Sequence, residues 1–82
     1  MAQTTDRRTE LEEYGKKLQL ILDAAEKAER AIVAEHETAS RDNQAGAAFL
    51  LDEVLFPLRE KIIEIKRSQT QTFQERLRLL SA

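Results

Sequence analysis

The apolar residues of this chain recur every three or four positions in two long runs, separated by one turn-like stretch. Such spacing places side chains on one face of an α-helix, and its regular alternation is typical of helices that pack as coiled coils. The chain is therefore predicted to be all-α. The first run consists of Leu11, Tyr14, Leu18, Ile21, Ala25, Ala28 and Ile32.

The beginning of the first helix is indicated by a capping box, in which Thr9 is followed three residues later by Glu12. The threonine hydroxyl and the glutamate carboxylate can each accept from the other residue's backbone N–H. We therefore expect helix 1 over about residues 10–41. Residues 1–8 contain no large apolar side chain after the initial methionine and are predicted to form a flexible tail.

The reversal is predicted at about residues 42–46. Asn43 tolerates tight turns and caps helices, and Gly46 permits a positive φ. Helix 2 then covers about residues 47–80, and residues 9–82 form a single helical-hairpin domain. The competing interpretation is one unbroken helix through this stretch, because its glutamine and alanine residues are good helix formers.

The second helix carries a longer apolar run that contains the chain's one proline. Pro57 has no N–H to donate to the carbonyl of Glu53 and disfavours helical geometry at Phe56. The sequence therefore predicts a kink or a break near Pro57. The predicted buried run is Leu51, Leu55, Leu58, Ile62, Ile65, Gln69, Phe73, Leu77 and Leu80.

Charge is distributed unevenly between the two predicted helices. Residues 10–53 hold eleven acids and five bases, a net of −6, whereas residues 59–82 hold six bases and three acids, a net of +3. A basic segment can mark a nucleic-acid surface, but it can also mark one of two oppositely charged helices that lie side by side. The overall charge of −2 favours the second interpretation, an antiparallel hairpin.

A hairpin of 82 residues cannot bury all the apolar side chains in this sequence. Small domains usually need disulfides, a structural metal or oligomerisation, and the chain has no cysteine and one histidine. We therefore expect self-association, most simply a homodimer that forms a four-helix bundle. The predicted interface, with a second copy or with another partner, consists of Leu50, Phe56, Pro57 and Ile63. The alternative is that the surplus residues are scattered surface apolars. That surplus is Leu20, Leu22, Val33, Phe49, Leu50, Phe56, Ile63 and Leu79.

No combination of residues indicates catalysis or metal binding. His36 lies between Glu35 and Glu37, but adjacent residues on a helix point in different directions and the chain has no second histidine. Ser40 follows His36 by one helical turn, without a glycine-rich loop to stabilise an oxyanion. We expect no catalytic residue, no metal and no cofactor.

The remaining function classes are interaction classes. No secretory signal and no run of 18 apolar residues is present, so a cytoplasmic location without membrane contact is expected. The favoured hypothesis is a non-enzymatic protein–protein interaction module, a small helical adaptor, chaperone or regulatory inhibitor acting through an apolar helix face. The alternative is a nucleic-acid-associated accessory protein whose Arg59, Lys66 and Arg67 contact phosphates. Two intervening acids, Glu60 and Glu64, disfavour that alternative.

Overall fold

The computed structural model describes the backbone of residues 2–81 and the side chains of residues 6–81. Helix α1 covers Ala2–Asp42, and a second arm returns antiparallel to it. This arm consists of α2 (Gln44–Phe49), a π-helical segment (Leu50–Leu55) and α3 (Phe56–Ser81). Residues 2–81 contain no β-strand, so the described chain is an all-α helical hairpin measuring 62 × 15 × 14 Å.

Helix α1 begins at Ala2, eight residues before the start predicted from the capping box. Thr9 lies inside the helix, so its position as an N-terminal cap was predicted wrongly. A tertiary contact accompanies this longer helix. The guanidinium of Arg7 donates to Glu75 on α3 over 2.7 Å and lies 3.6 Å from Glu10.

Asn43 is the single residue between the two arms, within the stretch where the reversal was expected. Its backbone N–H donates to Ala39, and its carbonyl accepts from Ala47. Its side-chain oxygen accepts from the N–H of Gly46 over 2.9 Å, and this bond caps α2 at its N-terminus. Gly46 does not adopt a positive φ, so the reversal depends on the asparagine cap rather than on glycine flexibility.

The second arm runs without a break through Pro57. The π-helical segment ends at Leu55, two residues before Pro57, and the next residue, Phe56, donates its N–H to Leu51, five residues earlier. A π turn contains more residues than an α turn, so side chains four residues apart stay nearly in line. Ala47, Leu51 and Leu55 have this spacing, and all three are buried or half-buried in the hairpin.

The arms meet along a seven-residue repeat, which we call the seam. It differs in part from the two apolar runs predicted to be buried between the helices. The inner positions of α1 include Leu11, Leu18 and Leu22, and those of the second arm include Leu55 and Ile62. On the second arm the repeat continues through Gln69 to Thr72. Thr72 is buried, with 7% of its surface exposed. The residues wrongly predicted to lie in the seam are exposed, and they are Tyr14, Ile21, Ala28, Phe73, Leu77 and Leu80.

The physical reason for this error is the period of the packing. Two helices in a left-handed pair keep facing each other only if the inner positions average 3.5 residues per turn. The apolar run changes to steps of four at Phe73 and Leu77, whereas the packing continues from Gln69 to Thr72 in a step of three. On α1 the same repeat places Leu22, instead of Ile21, in the contact between the arms.

Two polar contacts align the arms. The amide of Gln69 donates to that of Gln19 over 2.9 Å, and Arg59 donates to Glu29 over 2.9 Å. The two contacts are ten residues apart on both arms, as expected for helices that run antiparallel in constant register. They also place acidic α1 against the basic part of the second arm.

Candidate interaction surface

Five large apolar side chains are exposed along α3. Between 46% and 62% of each of these residues is exposed to solvent. Their spacings are seven, ten, four and three, so they lie on one flank of the helix. We call them the α3 stripe, and they are Phe56, Ile63, Phe73, Leu77 and Leu80.

The packing of the hairpin explains why the stripe faces water. Ile62, Ile65, Gln69 and Thr72 take the positions that face α1, and this directs the stripe sideways. A half-buried amide and a buried hydroxyl therefore occupy the interior, while larger apolar residues next to them are exposed. The Thr72 hydroxyl is satisfied within its own helix, since it donates to the carbonyl of Ser68 over 2.8 Å.

The structure brings together part of the interface predicted from the sequence. Phe56 and Ile63 belong to the α3 stripe, one heptad apart. Pro57 is exposed next to Phe56, whereas Leu50 is half-buried at the start of the π-helical segment. Among the other surplus residues, Leu20 and Phe49 are exposed and Leu22 is buried, and Val33 and Leu79 are half-buried.

Sequence reasoning missed Phe73, Leu77 and Leu80 as surface residues because it assigned them to the seam. A signal was present in the sequence. The interval from Leu51 to Thr72 can be read as a strict repeat of fours and threes, and this repeat leaves Phe73 outside. The predicted run already included Gln69, but from there it continued to the apolar Phe73 instead of the polar Thr72.

Two surface clefts flank the seam near the ends of the chain, and Thr72 borders both. The larger, about 480 Å³, lies between Tyr14 and Glu75. The smaller, about 360 Å³, lies between Gly15 and Phe73, so it adjoins the α3 stripe. A methyl group on Gly15 would meet nothing within 4 Å, so this part of the hairpin is loosely packed.

The charged residues around these surfaces form few cross-arm contacts. The hydrogen bond to Glu75 raises the pKa of Arg7 above its already high value, so this arginine remains charged. Among the residues considered for phosphate binding, Arg59 is paired with Glu29, and Lys66 and Arg67 are exposed. Across residues 6–81, no three histidine, aspartate or glutamate side chains come together in a way that could hold a metal ion.

Comparison of the chain with protein-family models, with curated proteins and with solved structures finds no significant match. Over the residues that the structure describes, no helix has the length and apolar character needed to cross a membrane.

Proposed function

We propose that the protein is a non-enzymatic protein–protein interaction module that binds its partner through the α3 stripe. The observation that carries this proposal is the exposure of five large apolar side chains on one flank of a helix. In this mode of recognition an amphipathic helix presents anchors one or two turns apart to a groove or to another helix. The proposed classes are a small adaptor, a chaperone or a regulatory inhibitor, each of which would hold its partner through this helix face.

The size of the stripe supports the proposal. A large side chain offers about 150–200 Å² and roughly half of each is exposed, so the five together present about 450 Å² of apolar surface. Lys66 and Thr70 lie between Ile63 and Phe73 and interrupt this surface. Its total area is comparable with the largest apolar patch on a typical monomeric protein, about 300–600 Å², which is often functional. The total accessible surface of 6337 Å² also exceeds the roughly 5000 Å² expected for a compact protein of 9.4 kDa.

The proposal includes self-association into a four-helix bundle, since a two-helix hairpin leaves this surface in water. It also includes a bend of the second arm near Pro57, where the π-helical segment ends, with the role of keeping Phe56 directed toward the partner. A cytoplasmic location is part of the same proposal, and the absence of cysteine favours it.

The proposal is tested by co-purification from cells that produce the protein. Phe73→Ser and Leu77→Ser alter the stripe, and Leu20→Ser serves as the matched control because Leu20 is 70% exposed on α1. We expect the stripe variants to lose a partner that the wild type and the control retain. Recovery of the same proteins with all variants would contradict the proposal. Circular dichroism of each variant verifies that the hairpin is folded.

A nucleic-acid-associated role is the second candidate, and the exposure of Lys66 and Arg67 is the observation in its favour. The pairing of Arg59 with Glu29 weakens it, because the three cations no longer act together. Binding to DNA or RNA that weakens steeply with salt would favour this role over the first.

A further inference from the structure

We infer that the partner of the α3 stripe is a second copy of this chain, bound antiparallel with α3 against α3 and with a two-fold axis level with Ser68. This inference rests on the proposed function, because it names the occupant of the same surface. It assigns a direction and a register to the contact. Three observations carry it, namely the symmetry of the stripe, the charges beside it and its area.

The positions on the flank of α3 are symmetric about residue 68. An antiparallel two-fold axis at that level places Phe56 opposite Leu80 of the second copy and Ile63 opposite Phe73, so that apolar side chains meet. Arg59 falls opposite Leu77, where its aliphatic stem can cover the leucine, and Lys66 falls opposite Thr70. The flank thus pairs position for position, and its members are Phe56, Arg59, Ile63, Lys66, Thr70, Phe73, Leu77 and Leu80.

The charges of the second arm favour the same direction. Residues 52–64 hold four acids and two bases, a net of −2, and residues 66–81 hold four bases and one acid, a net of +3. An antiparallel pair sets each acidic half against a basic half. A parallel pair in register would instead set Lys66 against Lys66 and each basic half against the other basic half. Like charges in close contact are unfavourable, so the antiparallel arrangement is selected.

The area of the stripe fits a dimer of this kind. A standard interface buries about 800 Å² on each partner, with an apolar centre and a polar rim. The apolar side chains supply about 450 Å², and Arg59, Lys66 and Thr70 lie among them as polar neighbours. The isologous contact uses one surface twice, so no second apolar patch is required on the chain.

The first measurement is sedimentation equilibrium of the purified chain. We expect a dimer of twice 9.4 kDa at micromolar concentration. Ile63→Ser and Phe73→Ser should each weaken association by about 100-fold, because the two-fold axis removes every contact twice. Leu20→Ser, on the other arm, should leave association unchanged. A monomer at 100 µM, or equal association of all variants, would overturn the inference.

The second measurement determines direction and uses the absence of native cysteine. Glu60→Cys and Gln74→Cys each place one thiol on the exposed flank beside the stripe. In an antiparallel dimer a short bismaleimide links the Glu60→Cys chain to the Gln74→Cys chain, and a mixture yields mainly the mixed product. Links between two Glu60→Cys chains would instead show a parallel pair and overturn the assigned direction.

These outcomes separate the two proposals. If the chain is a monomer but its stripe variants lose a co-purifying protein, the occupant is another protein. This inference and the self-association part of the proposed function then fail, and the interaction role of the stripe stands. If the chain dimerises with the stripe variants unaffected, another surface forms the dimer. If neither self-association nor co-purification depends on the stripe, both proposals fail.

Discussion

Replacement of each of the two glycines by alanine tests the packing of the hairpin, because the structure predicts changes of different size. Gly15 lies in the interior of α1, and a methyl group there would meet nothing within 4 Å. Glycine is less favourable than alanine in a helix interior by about 0.8–1.0 kcal/mol. Because the added methyl group would meet nothing, it buries little surface, and the expected gain is that of helix propensity alone.

Gly15→Ala should therefore stabilise the protein by about 1 kcal/mol. One kcal/mol shifts the Tm of a domain of this size by about 4–8 °C, so a rise of this size is expected. The assay is thermal unfolding followed by circular dichroism at 222 nm, with all variants at one protein concentration because association shifts Tm.

Gly46→Ala provides the contrast. A methyl group at Gly46 would lie 2.7 Å from Nδ2 and 2.9 Å from Cγ of Asn43, too close for the capping side chain to keep its place. The loss of the cap costs about 1 kcal/mol and cancels the gain in helix propensity. Its Tm should stay near the wild-type value or fall. Equal stabilisation by both substitutions would refute the description of the Asn43 cap, and a fall in Tm with Gly15→Ala would refute the open packing beside α1.

Two further predictions address the register of the arms. Leu22→Ala should destabilise the protein by about 2–4 kcal/mol in urea unfolding because Leu22 is 6% exposed. The control, Leu20→Ala, should change stability by less than about 0.5 kcal/mol. Similar effects of the two substitutions would mean that α1 is rotated from its described position. A double-mutant cycle of Glu29→Gln and Arg59→Gln should give a coupling free energy of about 0.3–1 kcal/mol, which should decrease in about 1 M salt. A coupling of zero at low salt would show that this cross-arm pair does not form in solution.

The helical architecture could be predicted from the sequence because it depends on local properties. Apolar spacing of three and four, few glycines and one proline allow little besides long helices, and the stretch around Asn43 is the one place suited to a reversal. The reversal occurs at Asn43, where the side chain caps the following helix. Opposite net charge on the two segments indicated that they lie side by side, as the pair between Glu29 and Arg59 illustrates.

The beginning of α1 and the course of the second arm through Pro57 depended on more than local signals. The capping box at Thr9 satisfies the local rule, but the helix continues to Ala2, and Arg7 on this extra part contacts Glu75 on the other arm. At Pro57 the local rule gives the loss of one hydrogen bond. The same rule does not predict the π-helical segment before Pro57, and this segment keeps Leu51 and Leu55 directed toward α1.

The composition of the candidate surface depends on which apolar side chains of each helix face inward. The sequence by itself determined two amphipathic helices with more apolar side chains than a hairpin can bury. It did not determine which of them face inward, because Ile21 and Leu22 fit equally well after Leu18, and Thr72 and Phe73 fit equally well after Gln69. The tertiary structure decided both cases together, since two long helices stay in contact only along a seven-residue repeat that both of them share. That shared repeat buries Leu22 and Thr72 and leaves Phe73, with the rest of the α3 stripe, on the surface.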